Sequence, residues 1–369
     1  MNCEIKEVIV HLVSMPVTGG FADATRKVES VGYTVVRIIT NSGVEGIGVT
    51  YHEVGGEATK LLIEKNIAPR LIGRDPFETE VIWMDMFQHL RGVGRKGLMF
   101  CALSAIDIAL WDIKGKVLNL PLYKLFGGNQ KRVPVYGSGG WTSYTDEQLV
   151  EEMKDIVARG YKMIKFKVGY EGGTKPGRDV ERVRKVREAV GPEIGIMLDA
   201  NNCWDAATGA RFANRVKDYD IMFLEEPVFA DDIPGLARFK QSTDIPLASG
   251  EHEYTKYGAR DLIIHGAADI VQLDGTRAGG FTEMMKIGAL TQAWNLKFAP
   301  HAMENIHIHL VSAMSNAPFL ERLLLFEEIT ANVYRNAPLP LNGYMEIPDL
   351  PGLGLELNMD FIREYDEKF

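Results

Sequence analysis

Residues 163–169 read M-I-K-F-K-V-G, a short apolar run bounded by Gly160 and Gly169. That pattern predicts a strand. Side chains at i and i+2 of a strand point to one face. Lys165 and Lys167 therefore share a face, and Ile164, Phe166 and Val168 take the other. A buried strand with two ammonium groups on one face needs anions opposite them. An edge strand with a solvated lysine pair fits the same seven residues, so the surrounding chain has to decide.

Similar apolar runs recur after Gly128, starting near Val133, Met163, Ile194, Ile221, Ile245, Ile270, Lys297 and Phe319, spaced about 22 to 31 residues apart. Each interval holds one strand and one helix. Charged, amphipathic stretches such as 179–190 and 204–219 fill the gaps. Eight such units in a row predict a parallel β/α barrel, because parallel strands need helical crossovers. An open doubly wound sheet is the alternative, weakened because no G-x-G-x-x-G follows a first strand.

The first part of the chain has a different texture. Apolar runs at 4–15, 33–40 and 44–51, the last two joined by the turn Asn41-Ser42-Gly43, predict an antiparallel meander. Helical spacing follows over 57–68, 76–89 and 98–117. This divides the chain into an α+β unit (1–125), a barrel (126–325) and a C-terminal segment (326–369) expected to pack back on the first unit.

A net charge of −9 argues against nucleic acid as a partner. The three cysteines are scattered and form no C-x-x-C pair, which excludes a disulfide framework and a thiolate metal site. Neither a signal-peptide pattern nor an apolar run long enough for a membrane is present, so a cytoplasmic location and no membrane partner are expected.

Chemistry in a β/α barrel collects at the C-terminal ends of the strands. From the second run on, those ends carry Lys165 and Lys167, then Asp199 and Asn201, Glu225 and Glu226, Glu251, Asp274, His301 and Glu321. Asp199, Glu225 and Glu251 follow one another at 26-residue intervals. Neighbouring strands lie ~4.8 Å apart, so three carboxylates meet at one point and need a cation. Oxygen ligands alone favour a hard ion, Mg²⁺ first and Mn²⁺ second. Glu225 and Glu226 are adjacent, only one can face the axis, and strand phase leaves the choice open. Lys167 on one side and the Asp274–His301 pair on the other are two potential bases. His307 and His309 read as structural, and His11, His52, His89, His252 and His265 show no partner.

Together the motifs K-F-K (165–167), D-A-N-N (199–202), L-E-E-P (224–227), S-G-E (249–251), Q-L-D (272–274), A-P-H (299–301) and F-L-E (319–321) resemble the mandelate racemase-like subgroup of the enolase superfamily. The resemblance spans nearly the whole chain. It implies a modified (β/α)7β barrel with an N-terminal α+β capping domain. It implies Glu225 as the third metal ligand beside Asp199 and Glu251, Lys167 and the His301–Asp274 dyad as bases, and Lys165 and Glu321 at the substrate carboxylate. D-A-N-N-C-W-D and A-P-H-A-M-E-N-I-H-I-H-L are similar to acid-sugar dehydratases acting on galactarate or talarate. Racemases and cycloisomerases share the subgroup.

The expected reaction removes the proton α to a carboxylate and then β-eliminates water, giving a 2-keto-3-deoxy acid. In this reading Lys167 is neutral and Glu321 protonated. Asn201 and the cap-loop residues Arg26, Lys27 and Tyr51 are expected at the substrate, with Arg91, Arg95 and Lys96 as candidates for a second carboxylate. A homo-oligomer, from dimer to octamer, is expected. A non-catalytic sugar-acid sensor and a phosphate-binding isomerase barrel are the competing classes, and A-P-H-A-M-E is not a glycine-rich phosphate loop.

Overall fold

The computed structural model describes residues 3–366. Strands β1 (Ile5–Pro16), β2 (Ser30–Thr40) and β3 (Glu45–His52) form an antiparallel sheet in the order β1-β2-β3. The 21-residue helix Leu98–Leu118 lies across β3. Gly46 and Gly48 permit that approach: a Cβ at Gly48 would stand 1.9 Å from the Ala105 carbonyl oxygen, and one at Gly46 2.2 Å from that of Ala109. The helix expected over 57–68 is interrupted. An α-helix over Gly56–Leu62 passes into a π-helical turn over Ile63–Ile67 and then into Ala68–Leu71, with Pro69 at its start.

A curled sheet of parallel strands follows. They are β4 (Arg132–Gly139), β5 (Met163–Lys167), β6 (Gly195–Asp199), β7 (Ile221–Glu225), β8 (Leu247–Ser249), β9 (Ile270–Val271), β10 (Lys297–Phe298) and β11 (Leu320–Leu323). Their order is β10-β9-β8-β7-β6-β5-β4-β11, with helices between successive strands. No ladder joins β10 to β11; the Phe298 amide instead donates to the Asn316 carbonyl at 3.0 Å. This is a modified TIM-like (β/α)7β barrel. Local signals start its helices: at Asp146–Ala158 the Gln148 amide donates to Thr145 Oγ1 (3.2 Å) and the Thr145 amide to Gln148 Oε1 (2.9 Å), a reciprocal N-terminal cap.

The strand pleat sorts the barrel interior into layers. Tyr136, Met197, Phe223, Ala248, Ile270, Ala299 and Phe319 form a closed apolar cluster inside it. Two residues further along, the same faces carry Lys167, Asp199, Glu225 and Glu321. Register places Lys167 opposite Asp199 and Asp199 opposite Glu225. Ile164, Phe166 and Leu198 point the other way and pack against the helix layer.

The N-terminal unit is seated on the barrel through the helix Leu98–Leu118. Ser104 Oγ accepts from the Gly279 amide (2.8 Å), Asp107 Oδ2 from the Thr282 amide (2.9 Å), and Trp111 Nε1 donates to Thr282 Oγ1 (2.8 Å). The C-terminal stretch touches both units. Its strand β12 (Tyr344–Glu346) pairs antiparallel with β4 of the barrel, Thr330 Oγ1 lies 2.8 Å from the Tyr33 hydroxyl, the Leu353 amide donates to Asp112 Oδ1 at 2.7 Å, and the final helix, Met359–Asp366, packs on β1. There Asp366 Oδ1 accepts from the Leu12 amide at 3.0 Å and Oδ2 meets His11 Nδ1 at 2.7 Å. No helix among the described residues is long and apolar enough to cross a membrane.

Candidate active site

At the C-terminal mouth of the barrel the ionisable side chains interlock. Lys165 is fully buried, its Nζ 2.7 Å from Glu225 Oε2 and 2.8 Å from Glu321 Oε1. Its ammonium sits 5.5 Å above the Tyr136 ring, so the apolar layer floors the polar one. Lys167 pairs with Asp199. Asn201 donates to the same carboxylate through its amide (2.9 Å) and Nδ2 (3.2 Å). Gln272, which strand-end reading passed over in favour of Asp274, donates to Glu225 Oε2 at 2.9 Å.

On the far side, His301 Nδ1 meets Asp274 Oδ2 at 3.1 Å and Nε2 meets Glu251 Oε2 at 3.2 Å. Asp274 Oδ1 accepts from the amide (2.7 Å) and hydroxyl (2.8 Å) of Thr276, which fixes the carboxylate that orients the imidazole. Burial disfavours charge on His301, but Glu251 and Asp274 outweigh it and carry the imidazole up to about 9. His307 is a structural neighbour: Nε2 accepts from the Gly275 amide at 2.9 Å, so Nδ1 carries the proton donated to the Ala302 carbonyl at 2.8 Å. His309 donates to the Leu353 carbonyl at 2.9 Å, and burial lowers it to about 4.

Two protonation states differ from expectation. Burial works against the Lys167 ammonium, yet Asp199 outweighs it and holds the group charged, above its ordinary range. Burial likewise opposes ionisation of Glu321, but Lys165, His301 and Lys167 bring it down to about 2. Glu321 is thus an anion that accepts from Lys165 and from the Ala302 amide (3.0 Å), not a neutral donor.

Three strand-end carboxylates are candidates for holding a hard divalent cation. Asp199, Glu225 and Glu251 supply oxygen donors, and Glu225 Oε1 is buried without a hydrogen-bond partner. Burial, opposed by Lys165 and reinforced by Asp199 and Glu321, pushes Glu225 up to about 8, so an added cation relieves it. Among the described residues the grouping whose ligand atoms already lie within 4.8 Å of one another is the neighbouring one, Glu226, Glu251 and His252. We favour the first set because Glu225 keeps a buried oxygen, Oε1, without a partner, whereas Glu226 Oε1 is held by His252 Nδ1 (2.9 Å) and Oε2 by Asn202 Nδ2 (2.6 Å). The pleat also separates the neighbours. Glu225 shares the inward face of Phe223, whereas Glu226 lies past the strand end with φ at +40°.

Four of the histidines without an assigned partner have one: His252 pairs with Glu226, His11 with Asp366, His52 Nδ1 lies 3.3 Å from Thr34 Oγ1, and His265 Nδ1 donates to the Asp261 carbonyl at 2.8 Å. Of the cap-loop residues, Arg26 is already held by Glu53 (3.0 Å) and Asp23 (3.4 Å), and Lys96 by Glu253 (2.9 Å). Tyr51 is buried with its ring 6.0 Å from that of His301, and its hydroxyl accepts from Arg277 Nη1 at 2.7 Å. Arg277 carried no expectation, having no partner adjacent in sequence.

The fold and this mouth define a capped β/α barrel with carboxylates and cations converging at its strand ends. Residues 5–127 match the mandelate racemase/muconate lactonizing enzyme N-terminal domain, and residues 148–361 the enolase C-terminal domain-like family. The L-talarate/galactarate dehydratase of Salmonella typhimurium is 34% identical over 96% of this chain and 89% of its own. The D-galactarolactone cycloisomerase of Agrobacterium fabrum is 32% identical over 98% of both. The crystal structure of a racemase from Streptomyces coelicolor with bound magnesium superposes with a TM-score of 0.92 at 30% identity, covering 98% of this chain and 99% of that one. The chain belongs to the mandelate racemase/muconate lactonizing enzyme family of the enolase superfamily, whose members related to it include sugar-acid dehydratases and cycloisomerases.

Proposed function

We propose that this protein is an acid-sugar dehydratase that removes the proton α to a carboxylate and then eliminates the C3 hydroxyl as water. One observation carries the reading. Lys167 and the His301–Asp274 dyad end strands at opposite stretches of the sheet order, and each touches a different member of the carboxylate trio, Asp199 or Glu251. A substrate between them meets a proton-transfer group on each face.

Asp199, Glu225 and Glu251 would hold Mg²⁺, or Mn²⁺, which supplies stabilisation of the negative charge that develops on the substrate carboxylate. Lys165 stands beside the same trio and neutralises that carboxylate. Glu321, ionised, keeps Lys165 charged and in place; in this arrangement it is a positioning residue. Lys167 takes the α-proton from carbon to Nζ, which requires the free amine. Asp199 is what keeps it protonated, so commitment of Asp199 to a cation releases Lys167 for base chemistry. The C–H electron pair moves into an enediolate. That electron pair then expels the C3 hydroxyl, which takes a proton from His301 Nε2 and leaves as water. The remaining enol tautomerises to a 2-keto-3-deoxy acid.

A second reading has support in the cycloisomerase relative. With a sugar-acid lactone the same two groups isomerise the ring, and with no leaving group at C3 they racemise the α-carbon. A screen of sugar acids and lactones for 2-keto-3-deoxy product distinguishes these outcomes. Conversion without any such product overturns dehydration, and no conversion of any acid or lactone, with no α-proton exchange, overturns the catalytic reading.

A further inference from the structure

Nearly every cation at the mouth already has its counter-ion. Lys165, Lys167 and His301 pair with the strand-end carboxylates, His252 with Glu226, Arg26 with Glu53, and Lys96 with Glu253. Arg277 differs. No carboxylate among the described residues lies within ion-pair distance of it. Its side-chain partners are phenols: Nη1 donates to the Tyr51 hydroxyl at 2.7 Å, with that ring 5.4 Å from the guanidinium, and the Tyr254 hydroxyl is also within its reach. Partly buried cations are ordinarily paired, and a guanidinium offers five N–H donors in a planar fork.

Its position is fixed. The Asp274 carbonyl accepts from the Arg277 amide (3.0 Å) and the Ala278 amide (2.7 Å), so a tight turn holds Arg277 three residues beyond the dyad carboxylate. The side chain lines a cavity of about 230 Å³ with Tyr51, Glu53, His252 and Tyr254. His252, Tyr254 and Arg26 also line the adjoining cavity of about 590 Å³, which reaches Asn201 and Glu251. The space beside Glu251 thus continues toward a guanidinium that no carboxylate among the described residues meets as a direct ion pair. The Glu53 carboxylate in the same wall is offset by Arg26, so a second anion there does not face a bare negative charge.

We propose that Arg277 is a specificity-determining residue that receives the far carboxylate of a dicarboxylic sugar acid, while the near carboxylate occupies the Lys165 end of the site. This rests on the acid-sugar reading above and narrows it: six-carbon diacids are preferred over the monoacids that end in a primary alcohol. An Arg–carboxylate fork is bidentate and charge-assisted, and a primary alcohol cannot reproduce it.

The test compares parent, Arg277→Gln and Arg277→Lys on aldarates and on the aldonates of matching stereochemistry. The readouts are kcat/KM and titration calorimetry of galactarate and galactonate into Mg²⁺-loaded protein, in a Lys167→Ala background that cannot turn over. The parent should prefer the diacid. Arg277→Gln should lower the diacid-to-monoacid ratio roughly 10- to 100-fold, mostly through KM and Kd, the scale of a charge-assisted contact. Arg277→Lys, which keeps the charge but not the fork, should fall between, and it carries the test if the glutamine variant does not fold. Parental preference for monoacids, or an equal loss on both classes, overturns the inference and leaves dehydration standing. Diacid-selective binding that Arg277→Gln abolishes, with no dehydration of any acid, supports the inference and overturns the reaction. Absence of both turnover and binding overturns the two together.

Discussion

Two layers of the barrel interior, built from the same strands, are chemically opposite. The lower one, with Tyr136, Met197, Phe223, Ile270 and Phe319, is closed and apolar. The upper one, one pleat repeat along, holds Lys167, Asp199, Glu225 and Glu321, and the Lys165 ammonium reaches into it from the level of Met197; every one of these is buried. Burial of apolar surface stabilises a fold, whereas buried charge costs desolvation that pairing only partly offsets. The lower layer is thus where stability is gained, and the upper where it is spent to hold reactive groups in position. Substitutions in the two layers should fail differently.

The largest effect should come from the carboxylates of the upper layer. Glu225→Ala, like Asp199→Ala or Glu251→Ala, should abolish turnover with the fold retained. Mg²⁺ affinity by calorimetry should fall by more than the roughly 10- to 100-fold that loss of an outer-shell contact costs. Glu226→Ala, which removes a partner of His252 and Asn202, should stay within that range. The reverse ranking would assign the ion to the Glu226–Glu251–His252 grouping.

Next come the two bases, each worth about 10²- to 10⁴-fold. For a substrate whose α-proton faces Lys167, Lys167→Ala should remove deuterium exchange and dehydration together. His301→Asn should stop dehydration while exchange at the α-carbon continues. Parental dehydration by His301→Asn on every active substrate would make His301 structural and the mechanism wrong.

In the lower layer, Met197→Ala should cost about 2–5 kcal/mol of stability, the transfer and cavity terms of a buried side chain. Its Mg²⁺ affinity at a temperature where it remains folded should stay near the parent's. A denaturant midpoint equal to the parent's would show that this layer does not carry the stability assigned to it.

How much of this could be read in the sequence follows from the same layering. Strand-end residues were legible because period 2 and β/α spacing are local properties. Between Glu225 and Glu226 strand phase left the choice open, and only the fold separates them, with Glu225 on the inward face of Phe223 and Glu226 past the strand end. Protonation was not legible. Lys167 and Glu321 take their states from Asp199 and Lys165, 32 and 156 residues away along the chain. The neutralisation of Arg26 and Lys96 depends on Glu53 and Glu253 in the same way, and Gln272 reaches Glu225 only once β7 and β9 are in place.

The remaining effect tests a buried carboxylate outside both layers. Asp107, in the helix that seats the N-terminal unit on the barrel, accepts from the Thr282 amide through Oδ2, while Oδ1 has no partner. No ammonium or guanidinium among the described residues forms an ion pair with it. Burial, only partly countered by the Thr282 hydrogen bonds, carries it from its ordinary 3.8 up to about 7. The folded pKa is therefore the higher one. Below pH 4 both states are protonated and the full contribution to stability is present. As pH rises toward 7 the unfolded chain ionises first, and that contribution is lost; above 7 the loss is constant. Asn at this position cannot ionise but can still accept from Thr282. Asp107→Asn should therefore gain on the parent by roughly 4 kcal/mol between pH 4 and 7.5, since the rise spans about three units at about 1.4 kcal/mol each. Parallel stability curves for parent and variant across that range would mean that Asp107 is ionised in the folded protein, and that this seam, like the upper layer of the barrel, tolerates a buried charge.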